Sequence, residues 1–347
     1  MNPFILITLL FGLLTGTILT VTSTHWLIAW IGLEVNTLAI IPLMARPRHP
    51  RAIEATTKYF LVQATAAATI LFSSSTNAWL TGQWGLQQMT HPLPLALVTI
   101  ALALKIGLAP LHSWLPEVLQ GLNLTTGLIM STWQKIAPFA ILIQLQPNNQ
   151  VPLVLLGILS MLVGGWGGMN QTQLRKVLAY SSIAHLGWMV VIIQFSPTLS
   201  WLALAIYILM TSSSFLIFHL KNTTTINSLS TSWAVTPVTT ALLPLILLSL
   251  GGLPPLTGFM PKWLILQELT KQDLALAATM GALSALLSLY FYLRVSYAIT
   301  LTMAPNNTTG ISPWRTQTNL EVLPLATMTL LSILLLPLTP QILSIFN

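Results

Sequence analysis

The sequence predicts an all-α polytopic membrane protein with about 11 transmembrane helices, arranged as two inverted five-helix repeats plus one C-terminal helix. Three observations lead to this fold class. Of the 347 residues, 54% are hydrophobic and only 5% are charged, whereas soluble domains average roughly 25% charged residues. Apolar stretches of about 20 residues, long enough to cross a bilayer, follow one another with short links. Two of these stretches contain glycine and proline at matching places in the order.

The apolar stretches define the helices in chain order. They are predicted over 3–22, 26–45, 59–80, 92–120 (broken), 124–145, 150–169, 177–194, 199–219, 237–270 (broken), 275–300 and 324–345. We expect the whole chain, 1–347, to be a single membrane domain, because no polar segment is long enough for a folded extramembrane domain. Its predicted parts are a first repeat over 1–146, a second repeat over 147–300, and a loop with the last helix over 301–347.

Lysine and arginine in the links predict the orientation. With the N-terminus on one side, that side receives eight basic residues and the other side receives only Lys271. The eight are Arg46, Arg48, Arg51, Lys58, Arg175, Lys176, Lys221 and Arg315. Basic loops stay on the cytoplasmic side or its equivalent, the mitochondrial matrix. The cluster at Arg46, Arg48 and Arg51 is interpreted as a topology anchor, with anionic lipid such as cardiolipin as the alternative role.

Seven charged residues fall inside predicted spans, and four of them lie away from the span ends: Glu34, Lys105, Lys135 and Lys262. Each costs about 2.5–3.5 kcal/mol at a helix centre, so we expect them to face the bundle interior or a hydrated path rather than lipid. Intramembrane charges usually mark ion paths. The alternatives are that Glu34 only pairs with a lysine to join two helices, and that Lys262 lies partly at the interface.

Two histidines also lie in the predicted spans, His112 and His185. Either side chain is a proton relay or a hydrogen-bonded packing residue, and the sequence favours neither.

The fourth and ninth spans are predicted to be broken helices. Proline removes a backbone donor and clashes with the preceding turn, and unwound backbone at membrane depth lies only where it lines a cavity or is buried in protein. Because the two breaks are five spans apart, the halves have opposite orientation, which is a pattern typical of transport sites. The predicted break residues are Gly107 and Pro110 in the fourth span, and Gly251, Gly252, Pro254 and Pro255 in the ninth.

Several chemistries are excluded or disfavoured by the sequence. The chain has no cysteine, so it has no thiolate ligand for an iron–sulfur cluster and no disulfide. No GxGxxG or Walker motif occurs, and no His/Glu cluster has the spacing of a metal site. The formal net charge of +7 lacks the dense basic tract of a nucleic-acid binder. We therefore expect no cofactor, no metal and no catalytic redox residue in this chain.

Four motifs, in order, resemble the subunit 2 family of mitochondrial NADH dehydrogenase, respiratory complex I. They are LKIGLAPLHSWLPE, STWQKIAP, NQTQLRKVLAYSSIAHLGWM and GGLPPLTGF. The likeness covers essentially the whole chain, in the shortened animal form. It implies an antiporter-like, proton-translocating module in which Glu34 and Lys105 form a pair, Lys135 is the central lysine and Lys262 the terminal one. His112 and His185 match polar residues along the same axis.

The resemblance also implies the setting in which the chain works. The partners are other membrane-arm subunits, including further antiporter-like ones, and accessory subunits of the complex. NADH, flavin, iron–sulfur clusters and ubiquinone are expected in the assembled enzyme, an H⁺-translocating NADH:ubiquinone reductase of the inner mitochondrial membrane. Two other functions remain open from the residues: a stand-alone cation/proton antiporter and a purely structural membrane subunit.

Overall fold

The computed structural model describes residues 3–46, 49–145, 151–234, 237–301, 322–339 and 341. Within these ranges the chain is helical, apart from two isolated β-bridges. It divides into two compact units, Met1–Pro152 and Leu153–Asn347. The predicted topology residues Arg48 and Arg315 lie outside the described residues, as does nearly all of the predicted 301–323 loop.

Seven α-helices form the first unit. They are α1 Pro3–Thr22, α2 Trp26–Met44, α3 Pro50–Thr81, α4 Pro92–Ile106, α5 Trp114–Gly121, α6 Leu124–Ser131 and α7 Trp133–Leu145. A short 3₁₀ helix, Leu86–Gln88, lies between α3 and α4.

Eight α-helices are described in the second unit. They are α8 Val151–Gly168, α9 Leu174–Ile192, α10 Pro197–Lys221, α11 Ile226–Ser230, α12 Pro237–Gly251, α13 Phe259–Lys271, α14 Ala275–Thr300 and α15 Val322–Leu334. Short 3₁₀ helices, Thr231–Ala234 and Leu336–Leu338, follow α11 and α15.

Six of the described helical segments are long and apolar enough to cross a membrane. They are Pro3–Thr22, Trp26–Met44, Leu124–Leu145, Val151–Gly168, Pro197–Lys221 and Ala275–Thr300. Their outer faces remain apolar, as expected for helices surrounded by lipid or by neighbouring subunits; Phe4, for example, is 74% exposed. The chain is therefore a multi-pass helical membrane protein.

Helix α3 begins nine residues earlier than the hydropathy pattern predicts, at Pro50 instead of 59. The side chain of His49 accepts a hydrogen bond from the Arg51 amide and caps the helix, and Pro50 occupies its first turn. At 32 residues α3 is about 48 Å long, which exceeds a bilayer core of about 30 Å. Its charged first turns therefore extend beyond the apolar span.

The predicted span 124–145 matches the segment Leu124–Leu145, with a local interruption of the helix at Thr132. The carbonyl oxygen of Leu128 accepts hydrogen bonds from the hydroxyls of Ser131 and Thr132 and from the Thr132 amide. Such side-chain bonding to the preceding turn competes with regular helix geometry. Lys135 consequently lies in the first turn of α7 rather than in mid-helix.

The first predicted break separates α4 from α5, as the sequence indicates. Gly107 adopts φ +87°, a left-handed conformation that a glycine accepts without strain. The amides of Gly107 and Leu108 both donate to the Ala103 carbonyl and close the end of α4. Pro110 follows inside the break, where its lack of an N–H costs no helical hydrogen bond.

The second break separates α12 from α13 by the same local geometry. Gly252 has φ +79°, its amide donates to Ser249, and the Leu253 amide donates to Leu248. Gly251 is the last residue of α12, so the break begins one residue later than predicted. Pro254 and Pro255 lie within the break, as predicted.

Candidate functional site

Lys105 and Lys135 line one buried cavity in the first unit. Lys105 is in the last turn of α4, two residues before the break, and Lys135 is in the first turn of α7. Their side chains are 6% and 4% exposed. The volume of the cavity that water can occupy is about 20 Å³, which is enough for about one or two ordered waters. Two predicted site residues from separate helices are thus brought to one cavity, whose lining is partly polar and partly apolar.

The ammonium nitrogen of Lys105 has no hydrogen-bonding partner among the residues that the structure describes. A buried cation without a partner is costly, because burial removes its hydration. The backbone around it is better satisfied. Gln63 donates from Nε2 to the Lys105 carbonyl at 3.4 Å, and Trp114 donates from Nε1 to the Leu104 carbonyl at 3.1 Å. These side chains bind carbonyls that the break leaves open.

Uncharged amides complete the cavity wall. Asn36 of α2, Gln63 of α3 and Gln134 of α7 all line it. Gln134 donates from Nε2 to the Asn36 carbonyl at 3.4 Å, which joins α2 to α7. The carboxamide of Asn36 is 2% exposed and, within the described part of the chain, neither its oxygen nor its nitrogen has a hydrogen-bonding partner.

Glu34 lies next to this cavity rather than in contact with Lys105. Its carboxylate accepts a 3.0 Å hydrogen bond from the Thr37 hydroxyl, and Thr37 lines the cavity. Glu34 and Lys105 interact through their charges, but as described they form no ion pair within 4.0 Å. A proton moving between them therefore needs an intermediate group or water.

His112 lies in the first break, half-buried, with Nδ1 3.2 Å from the Pro110 carbonyl oxygen. It is not part of the cavity lining. Next to it in the chain, Trp114 packs its indole against the Tyr59 ring, with centroids 5.8 Å apart. These two aromatic residues do line the cavity, at the junction of α3 and α5.

In the second unit, Lys262 is in the first turn of α13, and its side chain reaches across the break to the end of α12. Its Nζ donates to the carbonyl oxygen of Gly251 at 2.8 Å and to that of Leu250 at 3.4 Å. The side chain is 8% exposed, so it is buried within the protein. A Cβ on Gly252 would lie 2.8 Å from its Cδ, so the absence of a side chain there makes room for it.

His185, also in the second unit, is 8% exposed. Its ring lies 5.6 Å from that of Tyr207 on α10. The structure thus groups the predicted residues by unit: Glu34, Lys105, His112 and Lys135 in the first, and His185 and Lys262 in the second.

Sequence reasoning missed the amides at the cavity. Asn36, Gln63 and Gln134 are uncharged, so they do not stand out in a search for intramembrane charges. The available signal was polarity within an apolar span, since each of them interrupts a hydrophobic stretch. Within the described ranges, no three His, Asp or Glu side chains group together as metal ligands would.

Comparison with known proteins decides the family. A family model described as NADH:quinone oxidoreductase/Mrp antiporter, TM, matches residues 23–288, and one described as NADH dehydrogenase subunit 2 C-terminus matches residues 289–343. The chain belongs to the NADH dehydrogenase subunit 2 family. The resemblance found in the sequence motifs is thereby confirmed.

Relatives in this family align along the whole chain. NADH-ubiquinone oxidoreductase chain 2 of Tetraodon nigroviridis is 74% identical over 347 residues and covers 100% of both chains. The Salmo salar protein of the same name is 65% identical, over 99% of this chain and 98% of its own. The Gadus morhua protein is 63% identical over 100% of both. Subunit 2 proteins of this length are thus similar from end to end.

Solved structures share the fold. A chain of respiratory complex I from Thermus thermophilus with bound aureothin aligns with a TM-score of 0.77 and 29% identity, covering 93% of this chain and 77% of that one. A chain of the Mrp complex from Dietzia aligns with a TM-score of 0.82 at 18% identity, covering 96% and 75%. At that identity the second likeness concerns the fold alone, which is antiporter-like.

Proposed function

We propose that this chain is a proton-translocating subunit in the membrane arm of NADH-ubiquinone oxidoreductase, and that protons cross it by way of Glu34, Lys105, Lys135 and Lys262. The observation that supports it most is the shared cavity of Lys105 and Lys135. Lysine is suited to this role because a small change in hydration or in a nearby charge alters the proton affinity of its amine.

The first steps of the path follow from the contacts. The Thr37 hydroxyl links the Glu34 carboxylate to the cavity wall. A proton released from Glu34 passes over water to Lys105 and then to Lys135 across the cavity, since each transfer requires hydrogen-bond reach or one bridging water. His112 in the first unit and His185 in the second are proposed as polar groups along the same path.

Lys262 is the proposed terminal group. Its hydrogen bonds to the end of α12 hold its ammonium at the break in the second unit. Backbone opened by a break is tolerated at membrane depth where it lines a cavity or is buried, and carbonyl oxygens at a helix C-terminus favour a positive charge. This arrangement stabilises a proton on Lys262 before its release.

The two halves are proposed to be inverted repeats of five spans, in 11 spans overall. Matching local contacts support this. In the first half the amide of Trp26 donates to Trp84 and that of Leu86 to Thr24. In the second half the amide of Leu174 donates to Thr224 and that of Ile226 to Thr172. Each pair of bonds ties the start of a half's second span to the end of its third.

The setting of the chain is part of the proposal. The enzyme is a subunit assembly of the inner mitochondrial membrane, with the N-terminus and basic loops in the matrix because of the lysine and arginine asymmetry. Redox groups, namely flavin and iron–sulfur clusters, and the substrates NADH and ubiquinone belong to neighbouring subunits. Other membrane-arm and accessory subunits cover its apolar sides. Cardiolipin binds near Arg46 and Arg51.

The test uses the assembled complex in sealed proteoliposomes. Lys105→Met keeps the length of the side chain and removes its charge, so NADH oxidation coupled to proton uptake should fall while assembly is normal. Unchanged proton stoichiometry and rate would remove Lys105 from the path and leave a structural role. Reconstituting the isolated chain tests the antiporter alternative, because a stand-alone antiporter exchanges cations for protons without the other subunits.

A further inference from the structure

We propose that the carboxamide of Asn36 anchors the water that connects Lys105 with Lys135. This inference rests on the proposed function, because it assigns a positioning residue to the same proton transfer. The amide does not hold the transferred proton. It orients the water, which receives a proton from one amine and passes a proton to the other amine. The amide itself neither gains nor loses a proton in this step.

The burial of Asn36 is the first observation. Its side chain is 2% exposed, yet among the described residues neither Oδ1 nor Nδ2 has a hydrogen-bonding partner. A buried amide without partners is unfavourable by an amount similar to a lost hydrogen bond for each group. Lys105 Nζ is in the same condition at the same cavity. The Asn36 carboxamide and the Lys105 ammonium are therefore two unsatisfied polar groups of one cavity wall, and a shared water would satisfy both.

The surrounding contacts hold the amide at the cavity. A Cβ on Gly16 of α1 would lie 2.6 Å from Asn36 Oδ1, so α1 packs closely against the carboxamide and fixes its position. On the other side, the backbone carbonyl of Asn36 accepts a hydrogen bond from Gln134, the residue before Lys135. The position of Asn36 is thus tied to the helix that carries the second lysine.

Water fits this gap chemically. The carboxamide offers two donors and an acceptor, whereas a charged lysine offers donors only. One water can accept from Lys105 and donate to Asn36 Oδ1, and another can accept from Asn36 Nδ2. Buried waters typically make about three such hydrogen bonds to otherwise unsatisfied groups. Proton exchange between two amines that are not hydrogen-bonded to each other then proceeds through this ordered water.

The test compares Asn36→Leu with Asn77→Leu in the assembled complex. Leucine has a similar size and no hydrogen-bonding group. Asn77 is a matched control, because it is also a buried amide, 0% exposed, but lies outside the cavity lining. We expect Asn36→Leu to remove ordered water density next to Lys105 in a high-resolution cryo-EM map and to slow coupled proton uptake roughly tenfold or more. Asn77→Leu should leave both unchanged.

A second pair of variants separates positioning from packing. Asn36→Thr and Asn36→Val have the same shape, but only threonine keeps a group that binds water. We expect Asn36→Thr to pump faster than Asn36→Val, and this comparison decides the matter if Asn36→Leu does not assemble. Equal pumping by the threonine and valine variants, or unchanged water and pumping in Asn36→Leu, would overturn the inference. If Lys105→Met itself pumps normally, the proposed function fails, whatever the Asn36 variants do.

Discussion

Lys262 donates a 2.8 Å hydrogen bond from its ammonium nitrogen to the carbonyl oxygen of Gly251, the last residue of α12. Carbonyls at a helix C-terminus have no partner within the helix and concentrate partial negative charge. The lysine therefore closes the broken helix with the same atom that is proposed to bind the transported proton. The backbone conformation at the end of α12 and the protonation state of Lys262 are therefore coupled.

The first prediction concerns Lys262→Met. Two buried carbonyls lose their donor, so the assembled complex should be less stable by about 1–3 kcal/mol, and coupled proton uptake should fall. The midpoint of thermal inactivation and the proton stoichiometry measure the two effects. Lys271→Met is the control, because that side chain is 60% exposed. Equal thermal midpoints for the two variants would show that the bond to Gly251 contributes nothing.

The second prediction concerns the first break. Gly107→Ala places a side chain at φ +87° and 2.8 Å from Leu115 Cδ1. A left-handed conformation alone costs a non-glycine residue about 1–2 kcal/mol, and the contact adds to it. Gly82 has φ +74° with nothing within 4 Å of an added Cβ, so Gly82→Ala measures the backbone cost alone. We expect a larger fall in thermal stability for Gly107→Ala; an equal fall would exclude a packing role for the glycine.

The third prediction concerns the indole that bridges the break. Trp114→Phe removes the hydrogen bond to the Leu104 carbonyl while it keeps most of the ring area. Leaving a buried carbonyl unpaired costs about 1–3 kcal/mol, which should appear as faster hydrogen exchange at the end of α4. Trp79→Phe provides the comparison, since Trp79 is 88% exposed. If both variants exchange as the unaltered protein does, the bond does not hold the break.

The fourth prediction concerns a charged contact between α3 and α5. Lys58 lies 2.8 Å from the Glu117 carboxylate and 2.7 Å from that of Glu54, beyond the apolar span. The hydrogen bond from Lys58 lowers the pKa of Glu54 below its usual 4.5. Its hydrogen bonds to the carboxylates of Glu117 and Glu54 raise the pKa of Lys58 above its usual 10.5. The Lys58–Glu54 ion pair, one turn apart on α3, is therefore fully formed between pH 4.5 and pH 10.5; it weakens as the pH falls through the lowered pKa of Glu54 and at high pH as Lys58 deprotonates.

Hydrogen exchange of the amides in the first turns of α3, which carry Glu54 and Lys58, tests this pair. At neutral pH and low salt, Lys58→Met should exchange slightly faster than the unaltered chain, because exposed ion pairs contribute little and are screened by salt. The difference should shrink as the pH falls below 4.5. A difference that stays constant from pH 7 to pH 4 would mean that the lysine acts by packing rather than by charge.

Hydropathy predicted most spans because lipid requires long apolar stretches. The predicted span 275–300 matches α14, and 3–22 matches α1. Hydropathy did not predict the start of α3, because Arg51, Glu54 and Lys58 lower the local hydropathy there. Pro50 is the sequence signal for this helix start. The interruption at Thr132 depends on which hydroxyls turn back to the Leu128 carbonyl, and composition does not determine that.

The site was predictable as far as charge made it visible. Lys105 and Lys135 stand out in apolar spans, and the structure brings them to one cavity. Glu34 was expected as a partner of Lys105; its charge acts on Lys105 and its carboxylate accepts a hydrogen bond from Thr37, and their pairing in proton transfer stays a prediction. Asn36 and the bond between Lys262 and Gly251 were not foreseen. Both depend on how close two helices approach, at Gly16 and at Gly252, and that distance follows from tertiary packing.

The most direct test of the central claim is the number of protons pumped per NADH oxidised by the complex with Lys135→Met, compared with Lys271→Met. Lys135 lines the cavity and Lys271 is largely exposed, while both variants remove one positive charge. The account predicts a lower proton yield, or a much slower coupled turnover, for Lys135→Met alone, in a complex that assembles normally. Identical proton yield and turnover in the two variants would contradict it.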